Sequence, residues 1–259
     1  MLEETFFYGE LKEFLEEKVI QYNQPSFIES DPISIPHLFT AKEDIEISGF
    51  LAATISWGNR KSILQNARKM LNWLDNAPFD FVTNHTESDL KRIEGVIHRT
   101  FNSDDLRLFI KSLKIIYENH GGMETVFASN LLEQSTQPAI HAFRKLFFSI
   151  PHLARSTKHV SDPLNGSSAK RINMYLRWMV RKDNNGVDFG LWRSIPPAFL
   201  SCPLDIHSGN VARKLGLLAR KQNDAKAVKE LNQSLRLLDS KDPVKYDFAL
   251  FGLGVFEKY

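Results

Sequence analysis

The sequence predicts an all-α fold. Apolar residues recur at helical spacing along nearly the whole chain, and no run alternates apolar with polar residues long enough to support a sheet. Proline and glycine separate the periodic stretches at roughly helix-length intervals, and there is no internal repeat or low-complexity segment. With 259 residues the chain can bury a substantial core, as one large domain or as two modest ones sharing a cleft.

Taken in order, residues 6–21 carry Phe7, Leu11, Phe14, Leu15 and Val19 at helical spacing with Glu and Lys between them. Pro25, Asp31-Pro32 and Pro36 then break the pattern, so 23–42 reads as an irregular connector. A helix restarts near Glu43, runs through Ile47, Phe50, Leu51, Thr54 and Ile55, and stops at Trp57-Gly58-Asn59-Arg60. Residues 61–74 form another, followed by Pro78, and 78–105 holds one or two short helices. Helices at 104–118 and 123–133 flank His120-Gly121-Gly122, and one at 138–149 stops before Pro151. A helix begins near Ala169, and others cover 210–220 and 224–238. Asp242-Pro243 starts the last, with aspartate as N-cap, proline at the first helical position, and a stripe of Val244, Phe248, Phe251 and Val255. Gly252 and Gly254 imply close packing of that helix against another.

Composition removes several function classes. The single cysteine, Cys202, excludes an internal disulfide framework and any four-cysteine zinc or iron–sulfur site made by this chain alone. The start, MLEETFFYGELKEFLEEKV, is acidic and amphipathic, and no apolar stretch approaches the ~20 residues of a membrane span. A cytoplasmic location with no membrane partner is expected.

The net charge of +2 conceals a basic block. From Lys158 to Lys221 there are eleven basic residues against Asp162, Asp183, Asp188 and Asp205. On a helix starting near Ala169, Lys170, Arg177 and Arg181 share one side, and Ile172, Tyr175, Leu176 and Met179 lie on the other. Such a face suits either solvent or a phosphate backbone, where spaced cations release counterions. The turn before it, Asn165-Gly166-Ser167-Ser168, offers small residues at a helix start, which carries unpaired N–H donors and a partial positive charge.

These residues carry a resemblance. Leu164-Asn165-Gly166-Ser167-Ser168-Ala169-Lys170 resembles the hairpin of the helix–hairpin–helix DNA glycosylases, L-P-G-V-G-x-K, in which the final lysine of lyase-active members is catalytic. Pro203-Leu204-Asp205-Ile206-His207 with Asn210-Val211-Ala212-Arg213 resembles the V-D-T-H-x-x-R-V segment that holds the catalytic aspartate of that family. The stretch 50–71 is similar in style to its early helix pair, and the three blocks occur in the same order. Asn165 stands where the hairpin proline is usual and Ser168 where its second glycine is. The 35-residue step from Lys170 to Asp205 contains an apparent insertion from Asn184 to Pro197. Most of the chain also resembles a family of bacterial proteins without an established activity, through DPISIPH, SWGNR, KRINMYLRWMVRKD and DPVKYDFALFGLG.

The resemblance implies a two-lobed helical fold with a helix–hairpin–helix motif beside a central cleft. One lobe is built from 1–45 with 171–259, and the other is 46–170. It implies excision of a damaged, oxidised base from duplex DNA, with strand cleavage through a lysine Schiff base. Lys170 is then the nucleophile, and Asp205 stabilises the positive sugar and helps activate the amine. Gly166, Ser167, Ser168, Arg171, Arg177, Arg181 and Arg213 are the expected phosphate contacts. The cleft or base pocket draws on Trp57, Asn59, Arg60, Trp178, Phe189, Trp192 and His207, because an extruded base needs aromatic or apolar walls. No metal, cofactor or iron–sulfur cluster is expected, since His207 has no second histidine at ligand spacing. Two alternatives stand beside this reading: a non-catalytic nucleic-acid-binding protein on the same scaffold, and a helical interaction protein whose basic face meets an acidic partner.

Overall fold

The computed structural model describes residues 2–259, with side chains from residue 9 onward. Helix α1 (Leu2–Tyr22) lays Leu11, Leu15 and Val19 into a core, while Phe7 of the expected stripe lies outside the described side chains. The connector expected at 23–42 is more ordered than its prolines suggested. It holds α2 (Pro25–Ser30) and 3-10 turns at Pro32–Ser34 and Pro36–Leu38. Each begins on a proline, whose missing N–H is no loss at a first helical position.

Helix α3 (Lys42–Thr54) is buried all round from Ile45 to Thr54. It ends earlier than the Trp57–Arg60 stop read from the sequence, because Asn59 belongs to the next helix. The Asn59 side chain accepts from Ser62 N at 3.1 Å and N-caps α4 (Arg60–Trp73). The stretch 78–105 gives α5 (Pro78–Asn84), α6 (Glu87–Lys91) and an antiparallel ribbon of β1 (Val96–His98) and β2 (Phe101–Asn102). Strands this short leave no alternation to read, so the expectation of no sheet is corrected to this one ribbon. Helices α7 (Ser103–Asn119), α8 (Gly122–Ala128) and α9 (Gln137–Phe147) follow. α8 stops short of the expected 133, where the Asn130 side chain donates back to Val126 O at 2.8 Å.

The second half comprises α10 (Lys170–Val180), α11 (Ile206–Lys214), α12 (Ala225–Leu238) and α13 (Tyr246–Val255). A 3-10 turn at Pro243–Lys245 precedes α13, and Asp242 does not cap it; its Oδ2 instead accepts from Arg181 Nε at 2.9 Å. The two late glycines sit at close approaches. A Cβ on Gly252 would lie 2.1 Å from the Tyr22 ring, and one on Gly254 would lie 3.0 Å from His207 Cβ.

Two apolar cores result. The larger joins α3–α5, α7–α10 and the segment 187–200 around Phe50, whose ring packs on Phe109, Phe143, Phe147 and Tyr175. The smaller joins α1, α11, α12 and most of α13. The division between cores therefore falls between Leu200 and Cys202, not at residue 171, and Ile33 and Ile35 belong to the larger core. The reason is that every residue of α10 from Ile172 to Val180 is buried, with α3 packed against the helix.

The apparent insertion closes over the end of α10. Phe189 N and Trp192 N donate to the carbonyls of Trp178 and Met179 at 2.8 and 2.9 Å, near the end of α10, where helices lack partners for their last carbonyls. Trp192 fills the core and donates Nε1 to the buried Glu46 at 2.6 Å, and Ser194 N donates to Glu124 at 3.0 Å. No helix among the described residues is long and apolar enough to cross a membrane.

Candidate active site

A cavity of about 660 Å³ opens at the seam of the two cores. Its lining comes from the 27–32 segment, the turn into α4, and the starts of α10 and α11, with α13 as the far wall.

Lys170 is the first residue of α10. The chain enters it through Gly166, at φ 90, and Ala169, which is held in the left-handed region at φ 48. Asp162 organises this turn: its carboxylate accepts from Leu164 N at 3.1 Å and from the Asn165 amide at 2.7 Å, with His141 Nδ1 at 3.0 Å. Gly166 O accepts from Ala225 N at 3.1 Å, which docks the turn on the start of α12. Ser167 and Ser168 line the cavity, whereas Gly166 is exposed outside it.

Asp205 arrives from the other core as the N-cap of α11. Oδ1 accepts from Ser208 N at 3.0 Å, and Ser208 Oγ accepts from Asp205 N in return. The second oxygen is left for the cavity, and Lys170 Nζ lies 3.5 Å from Oδ2. Both side chains are about one quarter exposed, at 28% and 23%. The amine and the carboxylate named from the sequence thus share one cavity, where a ligand can reach both.

Two further carboxyl groups line the same cavity, and the sequence reading missed them. Asp31 is buried, accepts from Ile33 N at 3.1 Å, and has Arg60 at 3.9 Å; burial pushes its carboxyl above the usual range. Asp247 on α13 is 6% exposed, and burial pushes it up to about 6 despite the opposing pull of Arg177. One signal was available for Asp247: a charged residue inside the apolar run Tyr246-Asp247-Phe248-Ala249-Leu250 requires a partner or a function.

The expected phosphate contacts divide into two groups. Arg171 borders the cavity with its guanidinium 4.7 Å from the Trp57 ring, donating to the carbonyls of Thr54 and Lys158. It has no carboxylate partner among the described residues, and burial lowers its guanidinium to about 10. Arg177 and Arg181, by contrast, are each 3% exposed. Arg177 bridges Asp188 and Asp247, and Arg181 is ringed by Asp183, Asp188 and Asp242. The reading of a cationic surface face on α10 is therefore corrected: counterions from later segments fold over it and neutralise it. Arg213 is tied to Arg220 O at 2.8 Å and to the Asn223 side chain at 2.6 Å, away from the cavity.

The expected pocket residues divide similarly. Trp57 forms a wall, its carbonyl accepting from His98 Nε2 at 2.8 Å. Arg60 lies 5.4 Å from the Phe251 ring, and the exposed His207 completes the rim. Asn59 is occupied as a helix cap. Trp178 and Trp192 are core residues at 0% and 1% exposure, and Phe189 stacks on His37 at 4.2 Å, outside the cavity. Phe27 and Phe251 take the places expected of these aromatics.

No curated protein and no solved structure matches the chain. A family described as "Protein of unknown function (DUF2400)" matches residues 31–256, which is most of the sequence and spans every wall of the cavity except Phe27. The chain belongs to the DUF2400 family.

Proposed function

We propose that the protein excises a damaged base from DNA by the chemistry of a helix–hairpin–helix glycosylase, with Lys170 as nucleophile and Asp205 as its partner. The observation that carries this reading is the 3.5 Å approach of Lys170 Nζ to Asp205 Oδ2 inside a cavity of about 660 Å³ with aromatic walls. A volume of that order suits a small planar ligand, and Trp57, Phe27 and Phe251 are the surfaces on which an extruded base would stack. In this reading the 3-10 segment Ala154–His159, the turn at 162–169 and α10 form the helix–hairpin–helix, and the cavity lies in the cleft between two lobes.

Each group has a physical task. The carboxylate of Asp205, held by the α11 N–H and left with one free oxygen, stabilises positive charge on the sugar as the glycosidic bond lengthens. The amine of Lys170, after losing its proton, attacks C1′ and forms the Schiff base from which β-elimination cuts the strand. Arg171, without a carboxylate partner among the described residues, holds a backbone phosphate beside the cavity.

Borohydride trapping on duplex DNA carrying an abasic site or an oxidised base tests this reading. A covalent adduct is expected with the wild type and none with Lys170→Ala. Asp205→Asn should slow base release by about 100-fold or more, the scale of losing an electrostatic partner of the transition state. If the wild type forms no adduct and releases no base, the enzyme reading fails.

A further inference from the structure

Of the two carboxyl groups of the cavity that the lysine–aspartate chemistry leaves without a task, Asp31 caps a 3-10 turn and faces Arg60, and Asp247 is the other. It stands on α13, opposite the start of α10. Its Oδ2 accepts from Arg177 Nη1, while the only partner of Oδ1 among the described residues is the Cys202 thiol at 3.8 Å, a weak contact. The two aspartates that flank the nucleophile therefore differ in kind. Asp205 accepts a backbone N–H on one oxygen and faces the lysine amine on the other, so both oxygens act as acceptors. Asp247 is buried and has a nearly bare oxygen, so it can carry a proton.

We propose that Asp247 is the general acid of the site, delivering a proton to the departing base as Lys170 attacks the sugar. The proposal rests on the base-excision reading above. Lys170, as the free amine, forms the Nζ–C1′ bond while the C1′–N glycosidic bond breaks. The electron pair of that bond passes to the base nitrogen, which takes the proton from Asp247 Oδ1. The alkylammonium left on Nζ then returns a proton to the Asp247 carboxylate, so the acid is restored and no further reactant is needed.

The surroundings of Asp247 suit this task. Arg177 and Lys170 face it from α10, Asp205 from the α11 cap, and Cys202 from the segment before that cap, with Asp31, Arg60 and His207 elsewhere on the cavity wall. The helix on the other side of α13, α1, directs Glu16 to Tyr246 and Lys245, not to Asp247. Burial is the largest influence and favours the protonated form, Arg177 opposes it, and Asp205 adds to it; the balance near 6 leaves a usable fraction of acid close to neutral pH.

The test uses Asp247→Asn on two sets of duplexes: one with a preformed abasic site, and a panel carrying 8-oxoguanine, uracil or hypoxanthine. Base release from the panel should slow by about 100-fold, the typical worth of a general acid. Borohydride trapping on the abasic duplex should fall by at least tenfold less than base release does, because no base has to leave there. The pH profile of base release should also bend at the Asp247 titration in the wild type, levelling off where the loss of the acid offsets the gain of free Lys170 amine, and the variant should lack that bend. Equal losses on both kinds of duplex would make Asp247 a structural residue and overturn the proposal, as would unchanged base release. If the wild type releases no base from any panel member, the excision reading itself fails, and if it traps nothing the lysine step fails; this proposal falls in either case.

Discussion

Asp105, at the start of α7, has 0% exposure, yet four groups converge on it. Ser156 Oγ donates to Oδ1 at 2.6 Å, Asn102 N and Arg155 Nη2 donate to Oδ2 at 2.9 and 3.0 Å, and His159 Nε2 lies 3.3 Å away. Burial by itself would raise this carboxyl, but His159, Ser156 and the Asn102 N–H outweigh it and hold the group at about 2. Because the folded value lies below the ~3.9 of an unfolded aspartate, the contribution is complete above pH ~4 and lost as pH falls toward 2. Its size is on the order of 2 kcal/mol. Asp105→Asn should therefore be less stable than wild type at neutral pH by about that amount, and the gap should shrink as pH falls from ~4 to ~2, where the unfolded aspartate takes up its proton before the folded one does. Urea midpoints of the two proteins across that range measure it, and a gap that stays constant with pH would sink the assignment. The same network matters to the site because His159 also stacks on Trp57, at 6.1 Å between centroids, behind the cavity wall.

Helix α10 is where local sequence pattern and structure part company. Its spacing of Lys170, Arg177 and Arg181 matches a cationic surface, but periodicity reports only the shared face and not what covers it. The cover consists of Asp183 and Asp188 from the irregular segment after the helix and Asp242 and Asp247 from the end of the chain, none of them part of the helical pattern. Long amphipathic helices such as α4, α7, α9 and α12 were legible because their apolar stripes are themselves the contact surfaces. The Lys170–Asp205 pair was legible through the family-like strings that carry it. Asp31 and Asp247 were not, since each enters the cavity through tertiary packing, and Trp178 and Trp192 were misassigned because residue type does not separate a core aromatic from a cavity wall. This contrast makes a prediction about the element. Arg181→Gln leaves buried carboxylates uncompensated and should cost about 3–5 kcal/mol, with no change in the salt dependence of DNA binding. Arg171→Gln should do the reverse in the salt dependence, lowering the log–log slope by about 0.9, one phosphate contact, while losing its bonds to Thr54 O and Lys158 O costs about 1–3 kcal/mol. Urea unfolding together with binding titrations over a range of salt separates the two, and equal salt slopes for wild type and Arg171→Gln would remove Arg171 from the interface.

At the scale of the whole molecule, the site exists because two cores meet. Lys170 begins a helix anchored in the larger core, and Asp205 caps a helix anchored in the smaller one, so their 3.5 Å separation is set by how the cores are clamped. The clamp is α13: Phe248 belongs to the larger core, while Ala249, Leu250 and Leu253 belong to the smaller. Phe248 is fully buried, with the guanidinium of Arg177 4.2 Å and that of Arg181 5.5 Å from its ring centroid and Phe27 edge-on at 5.4 Å. Truncating it removes the seam contact on which the two arginines and a cavity wall rest. Phe109, equally buried, lies within the larger core against Phe50, Phe101 and Phe147 and is not among the residues that line the cavity. Phe248→Ala and Phe109→Ala should each cost about 3–5 kcal/mol, because both leave a void of similar size in a packed interior. Their effects on the proposed chemistry should differ. Under conditions where both variants are folded, Phe248→Ala should lower borohydride trapping on abasic DNA by about tenfold or more, since a misplacement of about an ångström is enough to cost that much. Phe109→Ala should trap at close to the wild-type rate. Equal trapping by the two folded variants would mean that the seam does not set the distance between the amine and the carboxylate.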